Sequence, residues 1–155
     1  MATGDVKWFA QGLLDLGNKL HNLGSETLKL GIVNNTTVPT VSTSDPRWGA
    51  GGTTNFSTNQ VGTGGTSYTG PLTLSSVTWA LQSGVPTLRA SNVSLSQDAS
   101  GFTTGRYGII YNDTDTGKRA LAFIDFGATI SLAAGPFAIN WNAGVNTNIL
   151  TLTQA

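Results

Sequence analysis

The feature that most constrains the fold is a series of short apolar runs, separated by turn residues, in which apolar and polar positions tend to alternate. The first is 26–33, where Leu28, Leu30 and Ile32 fall on one side of an extended chain. The others are 72–79, 85–95, 107–111, 120–127, 137–141 and 149–153. The turn residues between the later runs lie at 83–84, 100–101, 112–117, 134–136 and 142–148. Short strands at this spacing predict a mainly β fold, either a sandwich or a barrel.

One helix is predicted near the N-terminus, over residues 5–21. Its apolar positions recur at steps of three or four residues and line up one face: Val6, Phe9, Leu13, Leu16 and Leu20. Asp5 suits the N-cap, where a carboxylate accepts hydrogen bonds from the first turn. Gly12 and Gly17 each weaken the helix by about 1 kcal/mol relative to alanine. A helix that ends at Gly17 is the alternative.

A long segment rich in glycine and threonine, residues 34–70, follows the first strand. Structureless segments of this length are uncommon in compact domains and are usually functional or disordered. We predict that the whole chain, 1–155, forms a single domain. In it, 1–33 form the helix and first strand, 34–70 an extended arm, and 71–155 the main β-sandwich.

The chain carries few charges: 10% of its residues are charged, and eight Lys and Arg balance eight Asp and Glu. A neutral chain accumulates few phosphate contacts, so we expect no nucleic-acid partner. Low net charge favours association with other proteins. The chain has no cysteine, and we identify neither a signal peptide nor an apolar run long enough to span a membrane.

Candidate catalytic and metal-binding residues are few. Asp113 and Asp115 resemble the start of a calcium loop, but the position where such a loop needs glutamate is Ile124, so we interpret 112–117 as a turn. His21 is the only histidine and is interpreted as a solvated residue at the helix end. Asp125 has no opposed carboxylate. We therefore expect no enzyme activity, cofactor or metal.

The aromatic residues outside the strand patterns are the candidates for contacts with a partner, because aromatic and arginine side chains dominate binding hot spots. Trp79 and Trp141 lie in strand patterns and are assigned to the core. For Trp8, packing of the helix onto the sheet is an alternative to partner contact. The interface candidates are Trp8, Phe9, Arg47, Trp48, Phe56 and Tyr68.

The order of the motifs is distinctive along nearly the whole chain. The helix WFAQGLLDLGNKLHNLG leads into ETLKLGIV, and later segments read GRYGIIYND, LAFIDFG and GPFAINWNAG. This order resembles a group of small bacteriophage virion structural proteins, most closely the capsid cement (decoration) proteins of tailed phages. The matching residues are Arg106, Tyr107 and Tyr111, then Phe126 and Gly127, then Phe137, Ile139 and Trp141.

The resemblance implies an antiparallel, jelly-roll-like β-sandwich that decorates a virion. The implied partners are the major capsid protein and the protein itself, as a dimer or trimer. The implied location is the outer capsid surface, after synthesis in the cytoplasm of the host bacterium. The group has no catalytic motif to transfer. A tail-associated, receptor-binding or glycan-binding virion protein is the alternative, and a hydrolase on a β-scaffold is a third hypothesis.

Overall fold

The apolar runs form strands in a computed structural model, which describes residues 6–141 and 148–152. The described elements are, in chain order, β1 (Val6–Trp8), α1 (Ala10–Gly17), β2 (Leu28–Val33), β3 (Pro46–Arg47), β4 (Thr54–Asn55), a 3₁₀ helix (Phe56–Asn59), β5 (Leu72–Thr73), β6 (Thr78–Gln82), β7 (Val85–Arg89), β8 (Val93–Leu95), β9 (Gly105–Asn112), β10 (Ala120–Ile130), β11 (Phe137–Ile139) and β12 (Asn148–Thr151). Apart from the parallel pair β3–β4, the described strand pairs are antiparallel. The predicted mainly β class is confirmed.

The largest sheet has five strands in the order β1-β10-β9-β2-β5. Its centre is the β9–β10 hairpin, whose connection contains the predicted 112–117 turn. Alternate residues point to opposite faces of a strand. We call the face that bears Leu30, Ile32 and Ile110 the inner face, and the face that bears Val33 and Ile109 the outer face.

The inner face contributes to the larger hydrophobic core. The remaining antiparallel sheets, β12-β7-β6 and β11-β8, supply side chains to the same core. These side chains are Leu88, Leu95, Phe137, Ile139, Ile149 and Leu150. The core of the chain is therefore built mainly from residues of the predicted strands.

The outer face is covered by the 34–70 segment, which was predicted to be an extended arm. The Trp48 ring stacks on Tyr111 with 5.3 Å between ring centroids, and Phe56 packs on Phe9 at 5.9 Å. All four belong to a second buried cluster. The segment is largely irregular, as predicted, but it is folded onto the sheet because the outer face is apolar and must be shielded from water.

The same segment covers part of the edge of β2. Strand β5 pairs only with Lys29 and Leu30, which leaves the second half of β2 without a neighbouring strand on that side. There the Ile32 N–H donates to the Tyr68 hydroxyl at 3.0 Å, and the Ile32 carbonyl accepts from the Val61 N–H at 3.1 Å. A phenol and a loop amide thus satisfy backbone groups that a strand would otherwise bond.

Asp98 fastens the end of this segment to the loop after β8. Its carboxylate accepts hydrogen bonds from the backbone N–H groups of Ser67, Thr66 and Ser100. These bonds to the charged form lower the pKa of Asp98 to about 2. The segment is therefore attached at Asp98 as well as at the β2 edge.

The predicted helix 5–21 is shorter in the structure and ends at Gly17, as in the predicted alternative, and only part of its predicted apolar face is buried. Residues Val6–Trp8 form β1, which pairs with β10, and α1 covers only Ala10–Gly17. The buried positions of α1 are Gly12 and Asp15, while Leu13 is exposed. The reason is close packing: a Cβ on Gly12 would lie 2.6 Å from the Leu121 carbonyl oxygen, so glycine lets the helix backbone contact β10.

Two predicted strands are divided in the structure. The run 72–79 gives β5 and the start of β6, and 85–95 gives β7 and β8. Trp141 follows β11 in a turn, buried as predicted, with its indole N–H donating to the Ser91 carbonyl at 2.8 Å. The predicted N-cap Asp5, the strand end at Thr153 and most of the 142–148 turn lie outside the described residues.

The contact between Trp48 and the sheet gives a testable prediction. A Cβ on Gly31 would overlap the Trp48 ring, so Gly31→Ala displaces the indole from Tyr111. We expect this substitution to lower the free energy of unfolding by about 1–3 kcal/mol, measured by urea denaturation.

Gly62→Ala is the matched control, because a Cβ at Gly62 meets no atom within 4 Å. The control should keep or slightly raise stability, by up to about 1 kcal/mol. Equal stability of the two variants would contradict the packing of Trp48 over Gly31.

Candidate protein-binding surface

Four of the six predicted interface residues lie in the protein's own core. Phe9, Phe56 and Tyr68 are fully buried, and Trp48 is 8% exposed. Each fills space beside the five-stranded sheet or covers its edge. In the folded chain these side chains are used for packing, and a partner cannot reach them without unfolding the 34–70 segment.

The other two candidates, Trp8 and Arg47, are partly exposed. Trp8 lies in β1 and not in the helix, and it packs edge-to-face against Trp79, with 6.4 Å between ring centroids. The Arg47 Nε atom lies 3.0 Å from an Asp45 carboxylate oxygen. Both side chains are thus held by neighbours within the chain, and the structure does not bring the six candidates together into one exposed site.

The exposed apolar residues lie elsewhere, and most of them belong to α1 or its surroundings. Among the described residues, the large hydrophobic side chains at the surface are Leu13, Leu14, Leu20, Val38, Val41 and Leu81. Leu13 and Leu14 are on α1, and Leu20 follows it. The Val41 carbonyl accepts from the Ala10 N–H at 2.8 Å, which attaches the 38–41 segment to the helix N-terminus. We call Leu13, Leu14, Leu20 and Val41 the helix surface.

The helix surface results from the way in which α1 packs. Because Gly12 packs on β10 and Asp15 is buried, the opposite side of the helix presents Leu13 and Leu14 to solvent, and Leu14 is 56% exposed. The outward positions of α1 are Ala10, Leu13, Leu14 and Gly17, none of which is charged. Such a surface buries against another apolar surface without desolvating a charge.

A polar cluster lies beneath this helix and corrects the interpretation of His21. His21 was predicted to be solvated, but it is 5% exposed. Its Nδ1 atom lies 3.1 Å from the Asn112 side-chain nitrogen, across 91 residues of sequence. Asp15, 4% exposed, accepts from the Gln11 amide at 2.8 Å. The buried position of His21 depends on a distant partner, which local spacing does not reveal.

The carboxylates of the 112–117 turn are occupied by cations of the protein itself. Asp113 pairs with Lys29 at 2.9 Å and Lys118 at 2.8 Å, and Asp115 pairs with Arg119 at 2.7 Å. The hydrogen bond from Lys118 lowers the pKa of Asp113. Among the described residues, no group of three or more His, Asp or Glu side chains is placed to hold a metal ion.

The helices within residues 6–141 and 148–152 include none that is both long enough and apolar enough to span a membrane. No protein-family model matches the chain, and no curated protein or solved structure matches it significantly.

The Tyr68 hydroxyl gives a second testable prediction. Tyr68→Phe leaves the Ile32 N–H without an acceptor in a buried site. We expect the free energy of unfolding to fall by about 1–3 kcal/mol and hydrogen exchange at the Ile32 amide to accelerate. Chemical denaturation and amide exchange measured by NMR provide the two readouts.

Tyr111→Phe is the control, since Tyr111 is also buried but its hydroxyl has no hydrogen-bond partner in the described part of the chain. This control should leave Ile32 exchange unchanged. An unchanged Ile32 exchange rate in Tyr68→Phe would refute the role of the phenol at the strand edge.

Proposed function

We propose that this protein is a viral structural protein that binds the outside of a phage capsid. In this role it bridges neighbouring subunits of the major capsid protein and thereby stabilises the shell. The observation that carries the proposal is the helix surface, an exposed group of aliphatic side chains on a chain with no net charge. The order of motifs that resembles cement proteins supplies the identity of the partner.

The packing of the chain supports a role as a preformed clamp. Both faces of the five-stranded sheet are covered by the chain's own residues. The 34–70 segment therefore does not need a partner in order to become ordered. A preformed surface loses little conformational entropy when it binds, which strengthens association.

The helix surface supplies only a modest contact at each site. Burying the exposed half of a leucine side chain contributes on the order of 1 kcal/mol. Such contacts are effective when they are repeated, because a protein that bridges two subunits gains from multivalency. A capsid shell offers many identical sites, so a modest contact at each site is enough to hold the protein on the shell.

The proposal also includes the more specific features that the resemblance to cement proteins implies. They are a jelly-roll-like arrangement of the antiparallel sheets, assembly as a dimer or trimer, and a place on the outer surface of the virion. The proposed role has no catalytic step, and it requires neither a cofactor nor nucleic acid.

Removing the apolar character of the helix surface tests the proposal. We expect the double variant Leu13→Ser/Leu14→Ser to bind at least tenfold more weakly to capsid shells that lack this protein. Both side chains are exposed, so the substitutions remove apolar contact area from the docking surface without disturbing the core. Cosedimentation with shells purified from the phage that encodes the chain measures the affinity.

Leu81→Ser is the matched control, because Leu81 is 66% exposed but lies on β6, away from α1 in the sequence. It should bind as the parent does, and circular dichroism should show that both variants are folded. Parent-like binding by the double variant would exclude the helix surface as the docking site.

The tail-associated or glycan-binding alternative gives a different pattern. Antibody labelling of virions should show a uniform signal over the shell if the protein is a cement, and a signal at one vertex if it belongs to the tail. Binding of the isolated protein to host cells or glycans, without binding to shells, would overturn the cement proposal.

A further inference from the structure

The hydrogen bond between His21 and Asn112 has a fixed direction. Asn112 is fully buried, and its side-chain oxygen accepts from the backbone N–H groups of Thr114 and Asp115 at 3.0 and 3.2 Å. The amide nitrogen of Asn112 therefore points to His21 and must donate to it. His21 Nδ1 must accept this bond, because an amide NH₂ group has no acceptor capacity.

This arrangement selects one protonation state of the imidazole. With Nδ1 as the acceptor, the single proton of the neutral ring lies on Nε2. His21 Nε2 is buried and has no hydrogen-bond partner among the described residues. The site thus fits a neutral histidine with its proton on Nε2.

A second proton has no satisfactory position. Protonated Nδ1 would face the Asn112 amide as a donor against a donor. Rotating the Asn112 amide by 180° restores an acceptor for His21, but it then turns the NH₂ group toward the N–H groups of Thr114 and Asp115. Either arrangement breaks a buried hydrogen bond, and leaving a buried polar group unpaired is costly.

The charged groups near His21 act in both directions. Asp15 on α1, Glu26 in the segment before β2, and Asp115 in the hairpin turn all favour a proton on His21. Burial and Arg119 oppose it, and burial is the largest effect, so the pKa of His21 falls below 6.5. The energetic direction agrees with the hydrogen-bond geometry.

The segment that would respond is the connection between α1 and β2, residues 18–27. Its last residue is bonded to the hairpin turn, where the Asp113 N–H donates to the Thr27 carbonyl at 2.8 Å. Its middle is held by His21 and by Leu23, whose side chain is 1% exposed and belongs to the larger core. The helix end is attached nearby through Leu20, whose N–H donates to the Asp15 carbonyl at 2.9 Å.

We propose that His21 is a proton-sensitive latch, whose protonation in mildly acidic solution releases residues 18–26 from the β9–β10 hairpin. This inference does not depend on the proposed capsid role. It assigns a regulatory function to the sole histidine of the chain. Leu20, which is part of the helix surface, lies within the released segment.

The direction of the pH effect follows from the lowered pKa. A histidine whose pKa is lower in the closed state than in the open state stabilises the closed state when it is neutral. The stabilisation is complete above pH 6.5 and is lost as the pH falls below 6.5 toward the pKa of the closed state. Over that interval the ratio of open to closed molecules rises by up to about tenfold per pH unit.

NMR titration from pH 8 to pH 4 tests the latch on the full chain. We expect the imidazole signals to report a pKa below 6.5, and the Asn112 side-chain NH₂ signals to shift in parallel. Amide protection factors in residues 18–26 should fall by up to about tenfold per pH unit, whereas those of β9 should stay constant. A His21 pKa of 6.5 or above, or constant protection in 18–26, would overturn the proposal.

Two variants separate the latch from general acid destabilisation. His21→Asn retains a side-chain oxygen that can accept from Asn112 but cannot titrate in this range, so protection in 18–26 should become independent of pH. Asn112→Asp replaces the facing donor by a carboxylate oxygen, so the pKa of His21 should rise above 6.5. The same pH dependence in His21→Asn as in the parent would contradict the proposal.

Discussion

The rest of the structure depends on the burial of the five-stranded sheet on both faces. In β9, seven of the eight residues are buried, and they point alternately to the inner and outer sides. A single second layer covers only one of these sides. The chain must therefore supply a second cover, and the irregular 34–70 segment does so with Trp48 and Phe56. A long loop is required here because the sheet leaves more apolar surface than the other strands can cover.

The way in which that cover is attached explains the positions of several unusual residues. Gly31 lies in the middle of β2, where only glycine leaves room for the indole of Trp48. Tyr68 combines two roles, since its ring fills the inner core against Phe102 while its hydroxyl accepts from the edge of β2. Because the hydroxyl is buried, its pKa is raised to about 12 and it remains a neutral partner for the amide. The 34–70 segment thus makes hydrogen bonds that a strand beside β2 would otherwise make, and it covers apolar area that a second layer would otherwise cover.

Most of the strands could be predicted from the sequence, with β1, β3 and β4 as the exceptions, whereas the positions of the aromatic residues of 34–70 could not. Alternation within each run located the strands to within a few residues, and the 112–117 turn was correctly interpreted. The aromatic residues of 34–70 were assigned to a partner because periodicity carries no information about an irregular segment. One available signal was the apolar run YGIIY in β9, since strands buried on both faces have nearly continuous apolar runs. That run indicates that a second cover is needed, and the 34–70 segment is the part of the chain that contains unassigned aromatic residues.

The candidate surface was missed for a related reason. The three- and four-residue spacing placed Leu13 and Leu20 on the same apolar face as the buried Phe9, but periodicity does not distinguish a packed apolar position from an exposed one. Gly12 decides the outcome, since a helix approaches a strand most closely through a residue without a side chain. His21 could not be placed either, because its partner Asn112 lies 91 residues away.

Most of the ion pairs among the described residues lie at the β9–β10 hairpin, and the outward positions of α1 itself carry no charge, although Lys19 is exposed beside Leu20. Asp113, Asp115 and their basic partners are gathered at the hairpin turn, and Arg106 pairs with Asp125 between β9 and β10 at 2.9 Å. Paired charges at fixed places hold the hairpin together without giving the protein a field that would attract polyanions. The outward side of α1 carries aliphatic side chains alone. If the proposed binding role holds, contacts through the outward side of α1 would be mainly apolar, and their selectivity would depend on shape more than on charge.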